Sequence, residues 1–147
     1  MKTLLTAIKT ALQQASLTNF KDNNIFITPD ELLFPSEKSF PEIALKDSTI
    51  NHTQVNQSIF SIYQVRVIVY NEILKEDDSS IMGDTSRNRQ GLFDIAAGIR
   101  GILDDNLLDL AYVRKAFCAS ESESLLISDR SRSAMRKILT YNYEKRT

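Results

Sequence analysis

Apolar residues recur every three or four positions near the start of the chain. Leu4, Ile8, Ala11, Leu12 and Ala15 fall on one side, with Lys2, Thr6, Lys9 and Gln13 on the other, a spacing that predicts an amphipathic helix. The period then changes to two. A short β-rich run covers Ile25–Thr28, and "FPEIALKD" predicts a second strand after Pro41, with Ile43 and Leu45 on one face. From Asp47 to Ser58 the chain is polar and reads as a loop. "SIYQVRVIVYNEI" carries the strongest strand signal: Tyr63, Val65, Val67, Val69 and Ile73 point one way, and Gln64, Arg66, Tyr70 and Glu72 the other. Such alternation predicts a strand with one face on the core and one wet. Over Ile59–Leu74 it would span about 50 Å at ~3.3 Å per residue, so it bends or its end projects beyond the body.

"KEDDSSIMGDTSRNRQG" follows as a mobile-looking loop. Leu92, Ile95, Ala96, Ile99 and Leu103 then resume the helical period, with Phe93 and Ile102 widening the stripe. Gly98 and Gly101 inside this helix each cost about 1 kcal/mol against Ala, which close packing on a sheet would explain. A strand is expected at roughly Tyr112–Ala119 and a short strand or turn at Leu125–Ile127. A last strand has Met135, Leu139, Tyr141 and Tyr143 alternating with Arg136, Thr140, Asn142 and Glu144. Helices are too few to cover both faces of a parallel sheet. The expected fold is therefore α+β: two layers, a mostly antiparallel sheet with two helices packed on one face. The expected core includes Leu4, Ile8, Leu12, Val65, Val67, Ile95, Ile99 and Leu139.

The chain of 147 residues suits one domain, 1–147, with a long mobile loop at about 76–90. Its net charge of −1 argues against a dedicated nucleic-acid binder. No stretch approaches the ~20 apolar residues of a membrane span. The start resembles a signal peptide only superficially, because Lys9 and Gln13–Gln14 interrupt its apolar run. The expectation is a cytosolic protein, or one assembled there.

One cysteine, Cys118, and one histidine, His52, leave no zinc spacing. Cys118 reads as a small buried hydrophobe rather than a reactive thiol. His52 has no evident partner, and no G-x-S-x-G elbow is present. The stretch after Gly83 lacks the Lys-Ser/Thr and spacing of a phosphate loop. Arg87 and Arg89 before the second helix could attract an anion, but a solvated loop is the preferred reading. The acid pairs Asp77–Asp78 and Asp104–Asp105, and Glu121 and Glu123, read as solvated faces. Six basic residues against one acid from Arg130 to Thr147 fit phosphate contact or, preferably, protection of an edge strand. No catalytic residue, metal or cofactor is expected.

The strand "YQVRVIVY", the loop "IMGD" and the helix "GLFDIAAGIRGIL", with "FPEIALKD" before and "RKILTYNYEKR" after, resemble small tail-completion proteins of long-tailed bacteriophages. These are the tail terminators and head–tail joining (neck) proteins, and the resemblance runs from about Leu4 to Lys145. It implies a structural virion protein: an α+β subunit forming a six-membered ring, a hexamer, that caps the tail tube and forms the head-joining surface. The implied partners are copies of itself, the tail tube protein and a head-completion or neck protein, with no membrane and no sequence-specific nucleic acid. The implied location is the virion, after assembly in the host cytoplasm. The resemblance implies no enzymatic activity and no cofactor, and no residue is carried across as invariant. The alternative is an adaptor domain of another assembly, binding a protein through a sheet edge or the 76–90 loop.

A ring needs a heterologous contact between two different surfaces of one subunit. The 76–90 loop offers one. Its acids Glu76, Asp77, Asp78 and Asp84 precede its basics Arg87 and Arg89, and Ile81 and Met82 would be the apolar anchor between neighbours.

Overall fold

A computed structural model of the chain describes residues 1–15, 17, 20–29, 40–73, 78–87, 89–129 and 132–146. Helix α1 (Lys2–Gln14) buries Leu4, Leu5, Ile8 and Leu12. Strand β1 (Ile25–Ile27) follows, then β2 (Glu42–Val55) and β3 (Ser58–Glu72). A single helical turn, α2 (Ser79–Met82), precedes helix α3 (Leu92–Leu103). Strands β4 (Val113–Glu121), β5 (Leu125–Asp129) and β6 (Arg132–Arg146) complete the fold. Among the described residues the six strands form one sheet in the order β1-β2-β3-β6-β4, with β5 also on β6. All neighbours are antiparallel except β1 and β2. The α+β architecture is the one the hydrophobic periods predict.

The main core lies between the sheet and the two long helices. Val65, Val67 and Val69 of β3 and Leu139, Tyr141 and Tyr143 of β6 meet Ile8 and Leu12 of α1 and Ile95 and Ile99 of α3. All eight expected core residues are buried there. The opposite face is not uniformly wet, as the alternation of β3 implied. Ala44, Ile68 and Tyr70 are buried on it, with Phe26, Phe40, Ile127 and Ile138 packed against them.

The largest departure from the sequence reading is Asp47–Ser58, which is not a loop. Strand β2 runs on to Val55, turns at Asn56–Gln57 and returns as β3, with His52 opposite Ser61 and Val55 opposite Ser58. Asn56 takes the left-handed φ of +56° that this turn needs, one that Asn tolerates better than most residues. A one-residue bulge lies between Asp47 and Ile50. Ser48 Oγ donates to Gln64 Oε1 (2.9 Å), and Gln64 Nε2 donates to Asn142 Oδ1 (3.3 Å). This chain of bonds joins β2, β3 and β6 at the bulge.

Other expectations change as well. Strand β6 lies inside the sheet, between β3 and β4, so its basic residues do not guard an edge. Lys137 sits on the core-facing parity and is buried. Its Nζ donates to the Ser122 carbonyl at 2.8 Å and lies 5.6 Å from the Phe93 ring centre, an ammonium reaching past apolar surface to a polar end. Phe93 itself is half exposed rather than part of the core stripe. Neither helix glycine packs on the sheet: a Cβ on Gly98 would approach Leu17, and one on Gly101 would meet open space. Leu125–Ile127 belongs to a strand. Strands β4 and β5 run in line along one side of β6, with register shifts at Val113/Lys115 and Cys118/Ser120. Between Glu121 and Leu125 the edge gains another residue on β6.

Ile99 is fully buried at the centre of the main core. Ile99→Asp places an unpaired carboxylate there, and the expected outcome is loss of the cooperative urea transition. Ile99→Ala is expected to keep the transition and lower stability by about 2–5 kcal/mol.

Candidate functional site

The segment before α3 is built around one buried amide. Asn71 sits two residues beyond Val69 and is 3% exposed. Its Nδ2 donates to the carbonyls of Ser80 (2.9 Å) and Gln90 (3.1 Å), and its Oδ1 accepts the Glu72 N–H (3.0 Å). Both ends of the 80–90 excursion are thereby tied to β3. Asp84 and Arg89 exchange backbone bonds of 2.8 and 2.9 Å, and Asp84 Oδ1 accepts from Ser86 N and Oγ. The sequence signal for Asn71 was available: an amide on the core-facing parity of an apolar strand.

Gly83 and Gly91 mark where two backbones pass, not where phosphate sits. A Cβ on Gly91 would stand 2.2 Å from the Ile81 carbonyl oxygen and 2.4 Å from the Gly83 nitrogen. Gly83 has φ +83°, and a Cβ there would stand 2.5 Å from Asp94 Oδ2. The N-terminus of α3 already faces a carboxylate, because Asp94 Oδ2 accepts the Gly91 N–H (3.1 Å). Arg89 pairs with Glu72 at 3.0 Å within the same chain.

Of the residues expected to meet a neighbouring subunit, Met82 stands 57% exposed, Asp78 is exposed, and Ile81, Asp84 and Arg89 are partly covered. Glu76, Asp77 and the Arg87 side chain lie outside the described residues.

The β2–β3 hairpin is a second exposed feature. From Ser48 to Val65 the sequence holds no Asp, Glu, Lys or Arg, although a quarter of the chain is charged. Ile50, Val55 and Ile59 are 39–49% exposed. Beyond Leu45 no strand among the described residues runs along the outer side of β2. A neutral hairpin with exposed β-branched residues and a free edge is a contact surface in waiting.

The remaining polar clusters are structural in their geometry. His52 Nδ1 lies 2.6 Å from Ser61 Oγ, so His52 does have a partner. The pair stands on the hairpin, and among the described residues no third side chain orients the imidazole. Asp104 is not a solvated acid. It accepts the Tyr141 hydroxyl (2.7 Å) and pairs with Arg100 (2.9 Å), which also reaches Glu121 at 3.6 Å. Burial, then the Asp104 bond, holds the Tyr141 hydroxyl far above the usual phenol range. Burial does the same for Tyr143, stacked 6.3 Å away. Cys118 packs against the core, and burial pushes its thiol up, away from thiolate chemistry. Among the described residues no group of three or more His, Cys, Asp or Glu side chains could hold a metal ion. No helix among them is long and apolar enough to cross a membrane.

Three expectations follow. Gly91→Ala is expected to lower stability by on the order of 3 kcal/mol in urea denaturation, since backbone must move. Gly101→Ala, with open space, is expected to raise it by up to about 1 kcal/mol. For pH, tyrosines of the unfolded chain ionise near 10.0 while Tyr141 and Tyr143 keep their protons in the fold. Above that pH the unfolded state binds fewer protons, so stability falls as pH rises. Melting followed by tyrosinate absorbance is expected to show the midpoint dropping above about pH 10, and less steeply in Tyr141→Phe.

No protein-family profile matches the chain, and no curated protein matches it by sequence. Among solved structures 27 chains match. One belongs to the virion of a native gene transfer agent (GTA) particle. It superimposes with a TM-score of 0.64 over 98% of this chain and 95% of that chain, at 9% sequence identity. The two share a fold over essentially their whole lengths.

Proposed function

We propose that the chain is a structural subunit of a phage-like virion, and within it a tail terminator or tail-completion protein. The single observation that carries the reading is the near end-to-end likeness to a chain of the GTA virion. The order of elements, resembling that of tail-completion proteins, supports it independently. In this reading the subunit forms a ring, a hexamer, that caps the tail tube and forms the surface joined by the head. Its partners are copies of itself, the tail tube protein and a head-completion or neck protein. It works by binding alone, without catalysis or cofactor.

The 76–90 loop remains a proposed subunit contact, with Met82 as its exposed apolar anchor. Excising the loop is a poor probe, because Asn71 holds the Ser80 and Gln90 carbonyls. Met82→Asp is the cleaner change. An adaptor reading draws on the outer side of β2 beyond Leu45, where no strand among the described residues pairs with it, and tail-tube binding separates the two.

Negative-stain microscopy of concentrated protein, alone and with purified tail tubes, tests the proposal. Rings, and density capping one end of the tubes, are the expected result, with Met82→Asp weakening ring formation and leaving the melting temperature unchanged. A chain that stays monomeric and leaves tube ends bare would overturn it.

A further inference from the structure

The hairpin projects past the helical layer. Met1 and Leu4 at the start of α1 line a hollow together with Tyr63, so the layer ends near that residue. The turn at Gln57 lies roughly 17–20 Å further along at ~3.3 Å per residue. Over Gln54–Ile59 it is two strands wide among the described residues, since β6 pairs β3 as far as Phe60, which faces Thr53. A two-stranded ribbon exposed on both faces has little stability of its own, and exposed Ile and Val at its tip gain nothing in water.

A complementary hollow exists on another part of the molecule. A groove of about 510 Å³ runs between α1 and the segment after α3. Ala7, Thr10, Ala11 and Gln14 form one wall, and Ile102 and Leu108 contribute to the other. The α1 wall is uncharged, and the other wall carries one charge, Asp109. Small side chains on α1 let another backbone approach closely, while Thr10 and Gln14 can answer the amides and hydroxyls of a polar ribbon. Asn106 fixes the far wall: its Nδ2 donates to the Ile102 carbonyl (2.9 Å) and its Oδ1 accepts the Leu108 N–H (2.8 Å).

We infer that the hairpin tip, Gln54–Ile59, of one copy docks into the α1–α3 groove of the next copy. The inference rests on the self-assembly in the reading above and names the surfaces that carry it. The occupant is another copy because the two surfaces match in chemistry. In a chain whose residues are one-quarter charged, the projecting tip carries none of Asp, Glu, Lys or Arg, and of the nine residues lining the groove that would receive it Asp109 alone is charged. Convex tip and concave groove are different surfaces of one subunit, so the contact is heterologous, the kind that builds a ring where the rotation between copies closes. Pairing of two β2 edges would instead be isologous and stop at a dimer.

Disulfide trapping tests this in full-length protein carrying Cys118→Ser. One preparation carries Gln57→Cys at the tip, another Thr10→Cys in the groove, and a third both. Oxidation at concentrations that support assembly is expected to link the mixed single variants to each other. Neither single variant is expected to link to itself, and the double variant is expected to give a covalent ladder ending at the ring. Thr10→Glu with Gln57→Glu is expected to weaken association at least tenfold by sedimentation, and Thr10→Glu with Gln57→Lys to restore it. Tip-to-tip links, or association that persists without tip-to-groove links, would overturn the inference and leave self-assembly standing. A chain that never associates would remove both.

Discussion

The pairing of β3 with β6 is the constraint on which everything else rests. It runs from Phe60 opposite Arg146 to Glu72 opposite Ala134 without a slip. Because side chains alternate, that unbroken register aims Val65, Val67, Val69, Leu139, Tyr141 and Tyr143 at the helices together. A one-residue shift of either strand would send its three to the other side. Both strands are interior, so neither spends its hydrogen bonds on water. The helices have one surface to fit, and their apolar stripes pack on it.

The same strand changes character along its length. Its second half is buried on both faces, with Ile68 and Tyr70 behind and the valines in front. Its first two residues, Ser58 and Ile59, have β2 beside them and not β6, and Ile59 is exposed. Between the halves lies the bulge at Asp47/Ile50, bridged by Ser48, Gln64 and Asn142. A bulge raises local twist, so it re-aims the outer half of the hairpin relative to the core. At the other end of β3, Asn71 replaces a valine's packing with three hydrogen bonds and thereby fixes the entry to α3. One strand thus holds the core, the projecting hairpin and the passage of two glycine-bearing backbones.

Those elements whose two faces differ were legible in the sequence. Helices α1 and α3 and strands β3 and β6 each present apolar and polar positions at a regular period, because one face meets the core and the other does not. The hairpin arm from Ser48 to Val55 meets no core on either side, so no period betrays it, and its turn residues Asn56–Gln57 resemble any polar loop. The His52–Ser61 pair was hidden for the same reason: a cross-strand neighbour follows from register, and the register was unknown. Interior placement of β6 could not be read from its own residues, since basic side chains occur both on edges and on interior strands whose ends reach solvent. Asn71 was the missed signal, an amide where the parity calls for an aliphatic side chain. The proposed loop contacts relied on a charge order that the fold partly consumes, with Arg89 already held by Glu72.

Strands β4 and β5 form the other long margin of the sheet, and along it the spacing of backbone groups repeatedly falls out of step with β6. A straight strand from another molecule can match such a margin for only a few residues before its donors and acceptors lose alignment. Cross-β growth needs a template that stays aligned over its whole length. The chain can therefore stand at high concentration without this margin seeding fibrils.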